Sequence, residues 1–171
     1  MATKTLISEE EYLRTGYENP EPEYRDGEVV ERSMADYLHG EVLNMLSNFF
    51  YDYWKKPGRK RLFVVQDVRV VLRAGRYVLP DMMVFTSERP NELVPSTPPH
   101  ILIEVLSPDD RMSEVTEKLE EYRAWGAPNI WLLDPHGKKM YRQTEQGLTA
   151  VSVLSVPEMG IEIRRTDVFT Y

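Results

Sequence analysis

A strand–helix–strand unit in the second half of the chain constrains the fold more than any other feature of the sequence. The runs "ILIEVL" at 101–106 and "NIWLLD" at 129–134 are almost wholly apolar, which is typical of strands buried on both faces. The segment between them has a helical pattern, with Asp109 or Asp110 as a cap and Gly126 as a stop. Adjacent strands joined through a helix run parallel with a right-handed crossover. The sequence therefore predicts an α/β fold with a mixed sheet.

The first third of the chain adds helices and a hairpin to this unit. Ser8 and Glu11 match a capping box, which predicts a short helix after residue 8. The dipeptide at 26–27, Asp-Gly, predicts a two-residue hairpin turn between short strands. From Asp36 onward apolar residues recur every three or four positions, which predicts a long helix lying on the sheet.

Residues 61–85 predict two long strands joined by a turn at 74–75. The polar Gln66 shares the apolar face of the first strand, where an amide needs a hydrogen-bond partner. That face is formed by Leu62, Val64, Val68, Val70 and Leu72. The strand-rich C-terminal segment predicts further hairpins, and no stretch has the composition of a linker. We therefore expect one domain over residues 1–171.

Two acidic residues inside apolar, strand-like runs give the clearest indication of function. Asp81 follows Pro80 in "YVLPDMMVF", and Glu104 stands among aliphatic residues in "HILIEVLSP". An ionised carboxylate in an apolar strand is costly unless it is paired, hydrogen-bonded or bound to a metal ion. Neighbouring strands would bring the two carboxylates together, and a divalent cation would relieve their repulsion.

The composition favours a hard cation at such a pair of acids. With three histidines and no cysteine, the chain lacks the usual ligands of a structural zinc site, whereas carboxylate oxygens favour Mg²⁺ or Mn²⁺. Nucleophilic chemistry finds little support, since there is no thiol and no G-x-S-x-G elbow. No glycine loop that cradles phosphates is present, so we expect no nucleotide cofactor.

Charge and hydropathy bear on partners and location. The net charge is −7, with 28 acidic and 21 basic residues, whereas a phosphate-binding protein usually has a basic footprint. The local exception is "KKPGRKR" at 55–61, which is either a solvated connector or a phosphate-contacting patch. No run approaches the roughly 18 apolar residues of a membrane span, and the N-terminus does not resemble a signal peptide. We expect a cytoplasmic protein with no membrane partner.

The helix after Glu104 supplies a cation. At about 100° per residue, Lys118 shares a stripe with Arg111, Glu114 and Tyr122 at the edge of the apolar face. The Lys118 ammonium is then within reach of the end of the Glu104 strand. The alternative is a routine helical ion pair between Lys118 and Glu114.

Together these residues resemble the Uma family of putative restriction endonucleases, a branch of the PD-(D/E)xK nuclease superfamily first described as a domain of unknown function. The resemblance is carried by Pro80-Asp81, by Glu104 in "IEVLSP", and by Lys118 and Tyr122 in "EKLEEYRAWGAPNIWLLDP". Weaker likenesses in "EYRDGEVVERS", "HG" at 39–40 and "VPEMGIEIRRTDVF" extend it over nearly the whole chain.

The resemblance implies a restriction-endonuclease-like core, a mixed sheet flanked by helices, with extra hairpins at both ends. It implies hydrolysis of DNA phosphodiester bonds, with Asp81 and Glu104 holding Mg²⁺ or Mn²⁺ and Lys118 helping to activate water. The chain departs from the superfamily at position 106, where Leu106 replaces the usual lysine. The resemblance implies that in this branch the lysine lies on the following helix, as Lys118.

Four residues are accessory candidates for substrate binding, namely Glu23, His39, Gln66 and Tyr122. The family pattern has an acid at Glu23, which is otherwise an exposed hairpin glutamate. His39 begins an apolar helix face, so a core or capping histidine is its alternative. The corresponding alternatives for the acids are a loop-amide contact for Asp81 and a buried ion pair with a helix cation for Glu104.

Three functions are compatible with these residues. A metal-dependent endonuclease is the first, and it favours a homodimer because cutting both strands of a duplex takes two sites. A nuclease fold that has lost its reaction and serves as a binding or assembly module is the second, which the net charge and Leu106 favour. Hydrolysis of RNA or of a smaller phosphodiester is the third.

Overall fold

The computed structural model describes residues 6–86 and 88–171. Its helices are α1 (Glu9–Arg14), α2 (Tyr37–Lys55), α3 (Met112–Trp125) and α4 (Arg165–Val168). Its strands are β1 (Glu23–Arg25), β2 (Glu28–Val30), β3 (Leu62–Gln66), β4 (Val70–Arg73), β5 (Arg76–Val78), β6 (Met82–Thr86), β7 (Ile101–Val105), β8 (Asn129–Asp134), β9 (Lys139–Thr144), β10 (Gly147–Val151), β11 (Val153–Val156) and β12 (Ile161–Arg164).

A six-stranded sheet forms the centre of the fold. Its strand order is β10-β9-β8-β7-β6-β3. Strands β7 and β8 are parallel, and every other pair of neighbouring strands in this sheet is antiparallel. A smaller sheet has the order β2-β1-β5-β4, and β11 pairs with β12 as a separate hairpin. The predicted α/β class, with a mixed sheet, a crossover through α3 and hairpins at both ends, is confirmed.

Each face of the large sheet is covered by one of the two long helices. Side chains of β6, β7 and β8 alternate between a core that contains Leu46 and Phe50 of α2 and a core that contains Leu119 and Tyr122 of α3. These four side chains are fully buried. The strands are apolar on both sides for this reason, so a polar residue among them has no exposed face to occupy.

Local capping explains where the helices begin and end. The Ser8 and Asp36 side chains accept hydrogen bonds from the backbone N–H groups of residues 11 and 39, at 3.1 and 2.9 Å. Helix α3 ends at Gly126, whose φ of 104° is readily adopted by glycine. The predicted Asp cap of α3 is wrong, since the N-cap is Arg111. Asp110 instead accepts a 2.7 Å bond from the Ser107 N–H and closes the turn between β7 and α3.

The two long strands predicted for residues 61–85 are wrong, because each is divided between two sheets. The first breaks after β3 at Asp67, which has a φ of 47°, so that β3 joins the large sheet and β4 the small one. The second breaks at 79–81, between β5 and β6, where Pro80 has no N–H to donate to a strand ladder. The predicted apolar face is therefore shared between the two cores.

Within the described residues, no helix combines the length and the apolar character that crossing a membrane requires.

Candidate active site

Asp81 and Glu104 lie side by side at one edge of the large sheet. Met82 of β6 is paired with Ile103 of antiparallel β7, and one step further along this ladder Asp81 faces Glu104. Asp81 Oδ2 accepts a 2.8 Å hydrogen bond from the Val105 N–H. Both residues are buried, with exposed fractions of 4% and 8%. The structure thus brings together two acids that are distant in sequence and buries both of them at the edge of the sheet.

Helix α3 provides two partners for Glu104 from consecutive turns. The Tyr122 hydroxyl donates a 2.6 Å hydrogen bond to Glu104 Oε1, and Lys118 Nζ lies 3.1 Å from the same oxygen. Residues four apart on a helix share a face, so both side chains point at the sheet edge. Lys118 therefore contacts the acid as the sequence predicts, in a geometry that suits both a catalytic cation and a structural ion pair.

Glu23 of β1 belongs to the same cluster. Its Oε1 lies 2.7 Å from Lys118 Nζ, and its Oε2 accepts a 2.9 Å hydrogen bond from Arg76 Nη1. The exposed fraction of Glu23 is 5%, so the alternative of an exposed hairpin glutamate is wrong. Lys118 is consequently shared by a carboxylate from each of two sheets, Glu23 and Glu104.

The structure adds two arginines, Arg32 and Arg76, to this cluster. Arg76 is buried at the start of β5, but it directly follows the turn at 74–75, so its sequence context does not distinguish it from an exposed turn residue. It ties Glu23 to Glu121 of α3. The sequence context of Arg32 does not mark it as a site residue either, because it lies in the polar connection between β2 and α2. Its Nη2 lies 3.1 Å from both Asp81 Oδ1 and Asp67 Oδ1.

His39 lies beside Asp81 at the start of α2. Its Nε2 is 3.7 Å from Asp81 Oδ1, and its Nδ1 is 3.3 Å from the Ser107 hydroxyl oxygen. Burial lowers the pKa of His39 below its ordinary value, so the neutral imidazole predominates at neutral pH. His39 is therefore buried, which agrees with the alternative of a core histidine. It also lies next to the acid pair.

Gln66 does not join these residues. It is exposed at the end of β3, and its Nε2 donates a 2.6 Å hydrogen bond to the Ser47 hydroxyl of α2. This contact supplies the partner that its amide required.

A cleft of about 400 Å³ opens over the acid pair, between α3, the small sheet and the connection before α2. Its charged lining comprises the acids Glu23, Glu28, Glu31, Asp81, Glu104, Asp110, Glu114 and Glu117 and the bases Arg25, Arg32, Arg76, Arg111 and Lys118. The acids outnumber the bases, so the cleft has a negative balance of charge and attracts cations.

Burial sets the protonation of the acid pair. It raises the pKa of Glu104 to about 8, with the charge of Asp81 adding to the effect against the opposing attraction of Lys118. Burial likewise raises the pKa of Asp81 above its ordinary value. For Glu23 the charges of Lys118 and Arg76 outweigh burial and lower the pKa. The site therefore contains one acid held ionised and two whose ionisation is opposed, a separation typical of functional sites.

The donor set at this edge fits a hard divalent cation. Among the residues that the structure describes, no three His, Asp or Glu side chains form a ready-made metal cluster. Mg²⁺ does not need one, because it is usually bound by one or two carboxylates together with waters and substrate phosphates. Asp81 and Glu104 supply such a pair of oxygen donors, and Glu23 is engaged by Lys118.

The mixed sheet with two buried carboxylates and a lysine at one edge defines a restriction-endonuclease-like protein. The fold is similar to the crystal structure of a putative nuclease belonging to DUF820 from Anabaena variabilis ATCC 29413, with a TM-score of 0.81. The identity is 21%, and the match covers 96% of this chain and 98% of that one. No curated protein matches the chain.

Residues 9–166 match the family model Uma2, described as putative restriction endonuclease, and the chain belongs to this family. The matched range includes the acid pair and Lys118. Family and fold together support a nuclease.

Proposed function

We propose that this protein is a divalent-metal-dependent nuclease that hydrolyses phosphodiester bonds of DNA, with Asp81, Glu104 and Lys118 as its catalytic residues. The observation that carries the proposal is the convergence of the two buried carboxylates with the ammonium of Lys118, which lies 3.1 Å from Glu104. The family membership is consistent with phosphodiester chemistry.

Asp81 and Glu104 would hold Mg²⁺ or Mn²⁺. When bound, such an ion supplies positive charge to the scissile phosphate and makes a nearby water more acidic. The chain's own groups prepare the site for it. The Val105 N–H fixes one oxygen of Asp81, and the Tyr122 hydroxyl fixes one oxygen of Glu104, so that little reorganisation is needed when substrate arrives.

Lys118 is the cation for the reacting phosphate and water. Its ammonium is held between Glu23 and Glu104, whose charges outweigh burial and raise the pKa of Lys118 above its ordinary value. The side chain thus remains protonated and acts by orienting the water and stabilising negative charge as it develops, rather than by removing a proton. Arg32 is a further cation, and its guanidinium can exchange its ion pair with Asp81 for one with a substrate phosphate.

A binding or assembly module without catalysis is the second candidate. It is favoured by the ion pairs that Arg32 and Lys118 already make with the two acids. In that case these pairs stabilise the fold, and the fold is retained for a partner.

A dimer is part of the proposal for a duplex substrate, since one site cuts one strand at a time. Sedimentation that shows only a 20.0 kDa species would remove the dimer from the proposal.

Nicking and linearisation of supercoiled plasmid in Mg²⁺ or Mn²⁺ tests the function. The parent is compared with Asp81→Ala and Glu104→Gln, and with Glu145→Gln, which removes an exposed carboxylate in the turn between β9 and β10. We expect the parent and Glu145→Gln to cleave alike and each site variant to lose at least about a hundredfold in rate, the scale of removing a preorganised charge-stabilising group.

Cleavage that persists in Asp81→Ala would overturn the mechanism. Absence of cleavage by the parent, on plasmid, single-stranded DNA, RNA and a small phosphodiester alike, would favour the binding module. Activity confined to RNA or the small phosphodiester would correct the substrate and leave the roles of the acids in place.

A further inference from the structure

A basic surface lies at the far end of α2 from the acid pair. Helix α2 ends at Lys55, and an exposed loop then leads into β3. We define the basic surface as the exposed residues Lys55, Lys56, Arg59, Lys60, Arg61 and Arg89. Five of these six fall within seven consecutive residues of a chain whose net charge is −7. Positive charge is therefore concentrated here against the average of the molecule.

Aromatic rings hold several of these cations in place. The guanidinium carbon of Arg61 lies 5.6 Å from the ring centre of Trp54 and 5.1 Å from that of Phe63. Arg89 approaches the same Phe63 ring at 5.7 Å. At the end of α2, Lys55 Nζ lies 4.0 Å from the ring centre of Tyr51. Such cation–π contacts reduce the conformational freedom of the side chains, so less entropy is lost when they bind an anion.

The loop is also tied to the C-terminal hairpin. Arg59 donates a 2.7 Å hydrogen bond to the Met159 carbonyl and lies 5.0 Å from the ring centre of Tyr53. Lys56 and Arg59 border a groove of about 380 Å³, whose other lining residues include Phe49 and Gly160. A plain solvated connector needs none of these contacts, and they indicate a surface with a defined shape.

The chemistry of the basic surface fits nucleic acid. Clustered lysine and arginine neutralise phosphates, and aromatic rings interleaved with cations are typical of proteins that bind nucleic-acid strands. Between residues 51 and 61, all within the described chain, Tyr51 alone is a large apolar side chain with substantial exposure, at 50%. A membrane-inserting surface would present several aliphatic side chains.

The separation from the acid pair suits a long substrate. Strand β6 runs from Met82 to Thr86 at the basic surface, so Thr86 lies five residues, or about 17 Å at 3.4 Å per residue, from Asp81. Helix α2 runs in the same direction, from Tyr37 near the acid pair to Lys55 at the basic surface, and its 19 residues span about 28 Å. The two sites are therefore roughly 17–30 Å apart, which corresponds to about five to nine steps of a nucleic-acid duplex.

We propose that the basic surface binds the phosphodiester backbone of a nucleic acid at a distance from the acid pair. This inference rests on the proposed function for the identity of the substrate, and it adds an affinity site that the cleavage chemistry does not require. Phosphate contacts of this kind position a strand without reading its sequence. The basic surface thus compensates for the negative balance of the cleft.

Binding of labelled oligonucleotides at several salt concentrations tests the proposal. The double variant Lys60→Gln/Arg61→Gln is compared with Lys139→Gln/Arg165→Gln, which removes the same charge from exposed positions elsewhere. All proteins carry Asp81→Ala so that no cleavage interferes. Duplex and single-stranded oligonucleotides of about 20 nucleotides are used beside ones of about four, which are too short to reach from the acid pair to the basic surface.

We expect the basic-surface variant to weaken binding of the long oligonucleotides at least about tenfold and to reduce the slope of log affinity against log salt by about 1.8 for duplex. The control pair should stay within about twofold, and the parent should bind the short oligonucleotides more weakly than the long ones, because a short strand cannot contact the acid pair and the basic surface together. Comparison of duplex with single strand shows which form binds.

Equal losses in both double variants, no binding of long oligonucleotides by the parent, or binding only to anionic lipid vesicles would overturn the proposal. Failure of the proposed function is distinguishable from these results. A protein that binds through the basic surface but never cleaves would sustain this inference and remove the catalytic one. Plasmid cleavage that is unchanged when Lys60→Gln/Arg61→Gln is introduced into the chain with native Asp81, together with unchanged oligonucleotide binding, would remove this inference and sustain the catalytic one.

Discussion

Asp81 Oδ2 accepts a 2.8 Å hydrogen bond from the backbone N–H of Val105, the residue that follows Glu104. This bond joins β7 to the residue just before β6, where Pro80 has interrupted the strand. The aspartate side chain thus contacts the backbone at the place where the regular ladder ends, and it holds its own carboxylate beside Glu104. An acid inside an apolar run is tolerated here because backbone and side-chain donors surround it.

Metal binding should depend on pH through Glu104. Burial raises the pKa of this carboxyl to about 8, so at lower pH a cation must displace a proton from it. We expect the affinity for Mn²⁺ to rise by up to about tenfold per pH unit as the pH approaches 8, and to level off above it. Titration calorimetry across this range measures the dependence.

Two variants control the origin of that pH dependence. Glu104→Gln should bind Mn²⁺ weakly at every pH. Tyr122→Phe removes a 2.6 Å hydrogen bond that favours the ionised Glu104 and should move the rise in affinity to higher pH. An affinity that does not change with pH in the parent would contradict the assignment of Glu104.

Loss of the Lys118 ammonium should destabilise the fold. Lys118→Met leaves Glu23 and Glu104 without the cation that they share, and breaking a buried ion pair from one side costs about 3 kcal/mol. Urea unfolding measures the loss in the free energy of unfolding. Saturating Mg²⁺ should recover part of it, because an ion that binds only the native state stabilises that state.

The exposed Lys139 gives the matched comparison for this change. Lys139→Met should alter the free energy of unfolding by less than about 0.5 kcal/mol. Adding Glu104→Gln to Lys118→Met should restore part of the stability, since it removes the carboxylate that is left without a cation, whereas Glu23 keeps its ion pair with Arg76. Equal unfolding midpoints for the parent and Lys118→Met would show that the ion pairs contribute nothing.

Arg32 should compete with the metal ion for Asp81. Its guanidinium lies 3.1 Å from Asp81 Oδ1, so Arg32→Gln removes a positive charge from the place where a cation would bind. We expect Mn²⁺ to bind about tenfold more tightly at constant pH, a gain of about 1.4 kcal/mol. Cleavage should nevertheless slow, because the same arginine is proposed to contact the substrate phosphate.

Asp67→Asn is the control for Arg32, because it alters the other ion pair of that arginine and leaves the contact with Asp81 in place. Its Mn²⁺ affinity should stay close to that of the parent. Unchanged Mn²⁺ affinity in Arg32→Gln would mean that the arginine and the ion occupy different sides of Asp81.

Two glycines should respond to alanine in opposite directions. Gly126 has a φ of 104° at the end of α3, so Gly126→Ala should lower the free energy of unfolding by about 1–2 kcal/mol. Gly40 lies inside α2 with open space around it, so Gly40→Ala should raise that energy by about 0.5–1 kcal/mol. Thermal unfolding of the two variants checks both signs, and a stabilised Gly126→Ala would contradict the left-handed helix end.

The sequence by itself determined most of the fold class and the centre of the site. The apolar runs around "ILIEVL" and "NIWLLD" predicted the parallel pair, because such strands must be covered on both faces. The same physics marked Asp81 and Glu104, since a charge among buried aliphatic residues demands a partner. The turn at 26–27 and the cap at Ser8 followed from local backbone chemistry alone.

Only the tertiary structure decided which sheet each strand joins and which charged side chains pair with one another. Each of the two predicted long strands divides at a short irregular segment, and its halves enter different sheets, because burial against distant elements outweighs strand propensity. The roles of Arg32 and Arg76, and the contact of Lys118 with both Glu23 and Glu104, depend on side chains from separate elements meeting at one edge. No periodicity in the sequence encodes such long-range pairing. The pairing arises when the helices and sheets pack, because the buried charges are then within reach only of one another.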